Sequence, residues 1–245
     1  MFRLDGRTAV VTGAGQNVGR GVAETFAARG AHVVVNDIEP DRAEEVARQI
    51  RAAGGSAEAA PFDVTDLDAV RAALAERPID ILVNNAGNGG AEAMRPKPFA
   101  ETEPAEWTGA IAVNLGGVLH CTHAVLPGMI ERGFGRIIGI VSGAGTEGVG
   151  IGVAAYSAGK GGAAGLLRSV ALEVARTGVT VNSIALGLMD NTGGSEVTGK
   201  LAKGIPTGRL GTPADVGALC TYLASAEASW MTAQTIALAG GSITS

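Results

Sequence analysis

Cysteine is scarce in this chain. There are two among 245 residues, Cys121 and Cys220, far apart and both in stretches that read as helix. That excludes a disulfide framework, and two buried thiols in a reducing compartment is the expectation. Excess positive charge is also missing. The net charge is −5 and no Lys/Arg cluster offsets it, which argues against a nucleic-acid or anionic-membrane surface. No apolar run approaches the roughly 20 residues needed to span a bilayer. No charged-then-apolar leader is present, because Met1 runs almost straight into a strand-like segment. A cytoplasmic protein with no membrane partner is therefore expected. Histidine offers no metal set: His120 and His123 have a spacing that could share a metal, but no carboxylate or further cysteine accompanies them, so they read as packing residues.

Glycine is abundant, with 38 residues and no period, so collagen and low-complexity readings fail. Hydrophobic residues make up 46% and charged residues 18%, a globular balance. Strand-like and helix-like segments alternate throughout. Short apolar runs at 8–13, 31–37, 57–64, 79–87, 135–142, 179–186 and 233–241 read as strands. Helical spacing fills the intervals, including 104–132, bent or interrupted near Pro127, and 156–177. Thr212 and Pro213 start a helix as cap and first residue. Apolar strands without alternation mean a parallel sheet covered on both faces. No linker or composition break divides residues 1–245. One doubly wound, three-layer α/β domain is the expectation, with ligands beyond the carboxyl ends of the strands. Residues 188–204 suit a lid over substrate, or a plain surface excursion.

The stretch "VVTGAGQNVG" (10–19) joins the first strand to the first helix, the context a dinucleotide fingerprint needs. Gly13 permits the tight turn, Gly15 clears the floor, and Gly19 lets the helix approach the pyrophosphate. Gln16, Asn17 and Val18 complete this turn. Asn17 stands where a glycine is usual and is the non-glycine residue most at ease with positive φ. Asp37 ends the second strand, where a carboxylate accepts from both ribose hydroxyls of an adenosine, or caps the next turn. A 2′-phosphate at about 4 Å would be repelled by roughly 4 kcal/mol per unit charge at an effective dielectric near 20. Gln16 and Ile38 provide no basic partner, so NAD is expected over NADP. Asp63 and Val64 hold the adenine edge, or make a turn. Asn85, Ala86 and Gly87 of "NNAG" form both a turn and a wall beside the cofactor.

"YSAGK" puts Tyr156 and Lys160 on one helix face. An ammonium about 5 Å away favours phenolate by roughly 3 kcal/mol, about two pKa units. Such a tyrosine exchanges a proton with a substrate oxygen while a cofactor carries the hydride. Ser142 ends the fifth strand and points into the same cleft. Asn114 is an amide inside an apolar helix, satisfied by backbone or holding a water near Lys160.

The ordered set "TGAGQNVG", "NNAG", Asn114, Ser142, "YSAGK", "GRLGTPADV" and "AGG" resembles the short-chain dehydrogenase/reductase family along nearly the whole chain. The resemblance implies a Rossmann-type sheet of about seven strands and the catalytic set Asn114, Ser142, Tyr156 and Lys160. It also implies a homotetramer packed through helices 104–132 and 156–177. Glycines 159, 161 and 162 would then allow close approach at a subunit axis. Gly187 follows Leu186, where the family's proline is usual, and Asn191 or Thr192 would orient the nicotinamide. The expected enzyme is an NAD-dependent alcohol dehydrogenase or carbonyl reductase. Its rivals are a 3-oxoacyl thioester reductase, a methyltransferase and a non-catalytic nucleotide-binding regulator.

Overall fold

The computed structural model describes residues 1–75, 77–87, 96–190 and 196–244, with the backbone alone at 196–198. The strands are β1 (Thr8–Val11), β2 (His32–Val35), β3 (Ser56–Ala59), β4 (Ile81–Asn84), β5 (Gly135–Ser142), β6 (Val179–Leu186) and β7 (Thr235–Leu238). They pair in parallel in the order β3-β2-β1-β4-β5-β6-β7. The order reverses between β1 and β4, which opens a crevice beyond their carboxyl ends.

The helices are α1 (Asn17–Ala28), α2 (Pro40–Ala52), α3 (Leu67–Leu74), α4 (Pro104–Ile111), α5 (Gly117–Glu131), α6 (Gly143–Thr146), α7 (Ala154–Val174), α8 (Glu196–Ala202) and α9 (Pro213–Ala224). The pleat sends successive strand residues to opposite faces, and each face has its own helices. Val11, Val33 and Val35 meet Phe26 of α1, Val46 and Ile50 of α2, and Leu223 of α9. Val10, Val34 and Leu82 meet Leu74 of α3, Val125 and Met129 of α5, and Leu167 of α7. Full burial of Phe26 alone contributes about 1.5–3 kcal/mol.

Three expectations need correction. The third strand stops at Ala59, because the chain from Ala60 to Val64 leaves the sheet to line the crevice. The long helix passes through Pro127 but loses its α-register at Ala112–Gly116, which form one π-helical turn. Such a turn inserts an extra residue and often marks a functional position; here it carries Asn114. Finally, Pro104–Glu131 is long and apolar enough to cross a membrane by length and composition. It packs instead as a core helix, with Val113, Val118, Cys121, Val125 and Met129 buried against the sheet and α7.

Candidate active site

The turn between β1 and α1 is built around backbone that few side chains tolerate. Gly13 has φ +60 and Asn17 has φ 47, so the asparagine does adopt the left-handed conformation expected of it. At Gly19 a Cβ would lie 2.3 Å from the Gly13 carbonyl and 2.4 Å from Asn85 Nδ2, so only glycine fits. Gln16 precedes α1 without a side-chain cap, and the first helical turn has no acidic residue. That helix end is left to an anion.

Beyond the turn, Asp37 is 4% exposed. Its Oδ2 accepts from the Gly15 N–H at 3.1 Å, and its Oδ1 accepts from the Glu39 N–H at 3.0 Å. A Cβ on Gly15 would meet Oδ2 at 2.5 Å. Gln16 and Ile38 are not basic, but a basic group the sequence reading did not consider stands here. Arg42 donates to Asp37 Oδ1 from Nε at 3.2 Å and Nη2 at 2.9 Å. It lies on the first turn of α2, which returns the side chain over the end of β2.

Asp63 Oδ1 accepts from both the N–H and the hydroxyl of Thr65, so its carboxylate does the work of a turn at the crevice wall. Val64 is fixed more firmly than sequence suggested. His120 Nδ1 donates to its carbonyl at 2.9 Å, which gives this histidine a positioning task beyond packing. Asn36 is a residue the sequence reading missed. It is buried, accepts from the Gly13 N–H, and donates to the carbonyls of Ala60 and Phe62. It therefore ties the glycine turn to the chain after β3.

Thr12 was missed as well. Its hydroxyl accepts from the N–H groups of Asn85 and Ala86 at 3.0 Å each. Asn85 Nδ2 in turn donates to the carbonyls of Thr12 and Gly13, and Asn84 Nδ2 donates to Thr122. The "NNAG" amides hold the turn rather than reach outward. A Cβ on Gly87 would lie 2.6 Å from Asn114 Oδ1 and 2.7 Å from Lys160 Nζ, so Gly87 makes the space in which those two groups meet.

Ser142 ends β5 with its Oγ accepting from the Ala144 N–H at 3.2 Å. Tyr156 and Lys160 follow on α7. Lys160 is 5% exposed and donates from Nζ to the Ile140 carbonyl at 2.8 Å. Burial pulls its ammonium down to about 8. Burial pushes the Tyr156 phenol above its ordinary value, and hydrogen bonding by Ser142 acts the other way. This reverses the acidic phenol expected from the Tyr–Lys spacing. Both groups are largely buried, and the lysine donates a hydrogen bond to a strand carbonyl.

Asn114 Nδ2 donates to the Ala110 carbonyl at 2.8 Å, which answers its helix-interior cost through backbone. The α7 glycines make close approaches within their own chain. A Cβ at Gly159 would meet Asn114 Cβ at 2.9 Å, one at Gly161 would meet the Gly145 carbonyl at 2.8 Å, and one at Gly162 would meet Leu115 at 3.2 Å. These close approaches bring Asn114 and the Ser142 helix onto the catalytic helix.

At the end of β6, Gly187 donates to the Leu238 carbonyl and faces the crevice beside Leu186. Asn191 and Thr192 lie outside the described residues, as does part of the 188–204 segment.

One cleft of about 1460 Å³ runs from Gly13 and Asp37 past Gly87 to Ser142, Tyr156 and Lys160. Single small-ligand sites occupy about 300–1,000 Å³, so there is room for a dinucleotide and a second molecule. Its far mouth is mixed: Phe99, Val149, Ile151 and Leu188 are exposed there, beside the Lys97–Glu106 ion pair and Glu147. Phe99 stacks on Trp107 with ring centroids 5.4 Å apart. Among the described residues no group of three or more His, Cys, Asp or Glu could hold a metal.

Comparison with known proteins agrees with this geometry. A family model for short chain dehydrogenase matches residues 7–200. The 3-oxoacyl-(acyl-carrier-protein) reductase of Escherichia coli is 36% identical over 252 residues, covering 98% of each chain. The crystal structure of a gluconate 5-dehydrogenase from Burkholderia cenocepacia in complex with NADP and tartrate has a TM-score of 0.89 and 36% identity, covering 98% of this chain and 96% of that one. A 7alpha-hydroxysteroid dehydrogenase complexed with NADH and 7-oxo glycochenodeoxycholic acid has a TM-score of 0.90 and 33% identity, covering 100% and 97%.

Proposed function

The chain is an oxidoreductase of the short-chain dehydrogenase family, and from that premise we propose that it interconverts a secondary alcohol and a ketone with NAD as preferred hydride carrier. The observation that carries this reading is the single cleft joining the glycine turn and Asp37 to Ser142, Tyr156 and Lys160.

The residues fit a dinucleotide. The uncapped start of α1 suits the pyrophosphate, Asp37 the adenosine ribose, Asp63 and Val64 the adenine edge, and Gly87 and Gly187 the nicotinamide end, with Asn191 or Thr192 expected there from sequence alone. A bound nicotinamide supplies the acceptor or donor of the hydride. Ser142 holds the substrate oxygen beside the Tyr156 phenol. In reduction Tyr156 gives its proton to the carbonyl oxygen, and its raised pKa keeps that proton in place at neutral pH. In oxidation it accepts the hydroxyl proton, which requires the Lys160 charge to stabilise the phenolate. Asn114 and Lys160 border the space over Gly87, where a water would link the ammonium to solvent.

The exposed Phe99, Val149, Ile151 and Leu188 at the mouth support a medium-sized, largely apolar substrate. A second reading is a 3-oxoacyl thioester reductase. It is favoured by the likeness to the Escherichia coli reductase, and Arg42, paired with Asp37, weakens the objection that Asp37 raises if NADPH is required. We place the protein in the cytoplasm, where the nicotinamide pool is. We expect a homotetramer, because Ile111, Leu119, Ile130 and Leu172 expose apolar surface on the two helices concerned. A mass measurement in solution checks the assembly. For the reaction, protein is mixed with NAD or NADP and a varied panel of secondary alcohols and 3-hydroxyacyl thioesters, and absorbance of the reduced cofactor is followed. Turnover of apolar alcohols with NAD supports the first reading, thioesters alone support the second, and no turnover with any pair contradicts both.

A further inference from the structure

The chain after β7 turns back on itself and re-enters the cleft. Gly240 (φ +60) and Gly241 (φ +90) are both left-handed, a conformation few other residues tolerate. Both are pressed against residues 205–207. A Cβ at Gly240 would lie 2.5 Å from Thr207 Oγ1 and 2.7 Å from Ile205 Cγ2, and one at Gly241 would lie 3.0 Å from Pro206 Cβ. Hydrogen bonds close the turn. The Thr207 N–H donates to the Gly240 carbonyl at 3.1 Å. Ser242 donates to the Ala239 carbonyl from its N–H at 3.1 Å and from its hydroxyl at 2.7 Å. This geometry brings Ile243 back to the end of β5. Its Cδ1 fills the place a Cβ on Gly143 would take, and its Cγ1 lies 3.3 Å from that place. Gly143 follows Ser142, and both line the cleft together with Ile243. Ile243 is half-buried, and Leu186, Met189 and Ile205 line the same cleft.

The chemistry gives a side chain in this place a task. A secondary carbinol carbon carries two carbon groups besides its hydrogen and its oxygen. We propose that Ile243 is a specificity-determining residue that bounds the space for the smaller of these two groups. With the oxygen held by Ser142 and Tyr156 and the hydrogen turned to the nicotinamide, one group runs out to the open mouth at Phe99, Val149 and Ile151. The other turns towards β6 and the 239–243 turn, where Ile243 stands against Gly143. The preferred substrate therefore carries one long and one short group, as a methyl ketone does. This rests on the alcohol–ketone reading above and adds to it which alcohols and ketones fit. If Ile243 only supported the turn that carries Ser142, its loss would slow every substrate in the same proportion.

The test follows reduction of methyl hexyl, ethyl hexyl and propyl hexyl ketone, which differ in the short group alone, with whichever of NADH and NADPH turns over faster. Wild-type kcat/KM is expected to fall by about ten- to a hundredfold from methyl to propyl, the range for forcing extra methylenes into a filled space. Ile243→Ala is expected to level the series to within about threefold, or to favour propyl. Ile243→Val removes a single carbon, disturbs the turn least, and is expected to fall between the two. A fluorescence titration of the reduced cofactor is expected to give affinities within about twofold of wild type for both variants. A proportional loss on all three ketones in Ile243→Ala, with the wild-type ranking kept, would overturn the proposal, and so would a flat wild-type series. Should Ile243→Ala not fold, an unchanged ranking in Ile243→Val would overturn it. Failure of wild-type protein to reduce any of the three ketones would overturn the alcohol–ketone reading, and the proposal with it.

Discussion

The cofactor end and the catalytic end of the cleft are held in opposite ways. Around the glycine turn, polar groups satisfy one another. Thr12 binds Asn85 and Ala86, Asn36 binds Gly13 and two further carbonyls, and Asp37 takes four donors. On α7, packed against β5, Lys160 carries a buried ammonium with one hydrogen bond and, among the described residues, no carboxylate beside it. Tyr156 is buried in a state that resists ionisation. The first region is a scaffold whose polar side chains are mostly paired within the chain. The second keeps an unfavourable charge, and under the proposed mechanism this trades stability for function.

Lys160→Met breaks this contrast most strongly. Turnover is expected to fall by about a thousandfold or more, in line with losing a group that orders a proton transfer. The melting temperature is expected to rise by a few degrees, since a buried charge with no carboxylate partner among the described residues is replaced by an apolar chain of similar length. A lower melting temperature in the thermal scan would show that the lysine stabilises the fold. Next in size is Gly19→Ala. Its Cβ would meet backbone and the Asn85 amide, and the turn must shift, so dinucleotide affinity is expected to drop by about a hundredfold in an NADH titration. Unchanged affinity would show the scaffold to be softer than described.

The pH dependence sharpens the same comparison. Lys160 is charged below about 8 and neutral above it. Tyr156 is raised and keeps its proton across that range, so it cannot produce a break there. In the reduction direction kcat/KM is expected to fall about tenfold per pH unit above 8. Stability moves the other way. An unfolded lysine holds its proton to about pH 10.4, so between about 8 and 10 the unfolded chain binds more protons and this group's contribution to stability rises with pH. A flat kcat/KM profile from pH 7 to 9.5 would contradict the role given to the ammonium. The smallest effect is expected for Asn17→Gly. Relief of the positive φ is worth at most about 1 kcal/mol, and NADH affinity should stay within about threefold.

The same division separates what was legible in the sequence from what was not. Apolar runs placed β5 at Gly135–Ser142 and β6 at Val179–Leu186, because a strand buried on both faces cannot hide its composition. The i, i+4 spacing put Tyr156 and Lys160 on one face, and the turn glycines announced themselves by type. Arg42, Asn36, Thr12 and His120 were not legible as site residues. Each acts through a contact between elements distant in sequence or across a helix start, and no local period encodes such pairing. The π-helical turn at Asn114 was hidden for a related reason: the extra residue is accommodated through packing against α7, while Pro127 offered a more visible but misplaced signal. The direction of the Tyr156 shift also escaped, because spacing reveals a neighbouring charge but not the dryness around it.

The most direct measurement compares wild-type protein with Tyr156→Phe, titrating NADH and then following turnover of the best alcohol or ketone found. The account predicts NADH affinity within about twofold and turnover lower by at least about a thousandfold, because the phenol moves a proton and does little for binding. Equal turnover in the two proteins would contradict it.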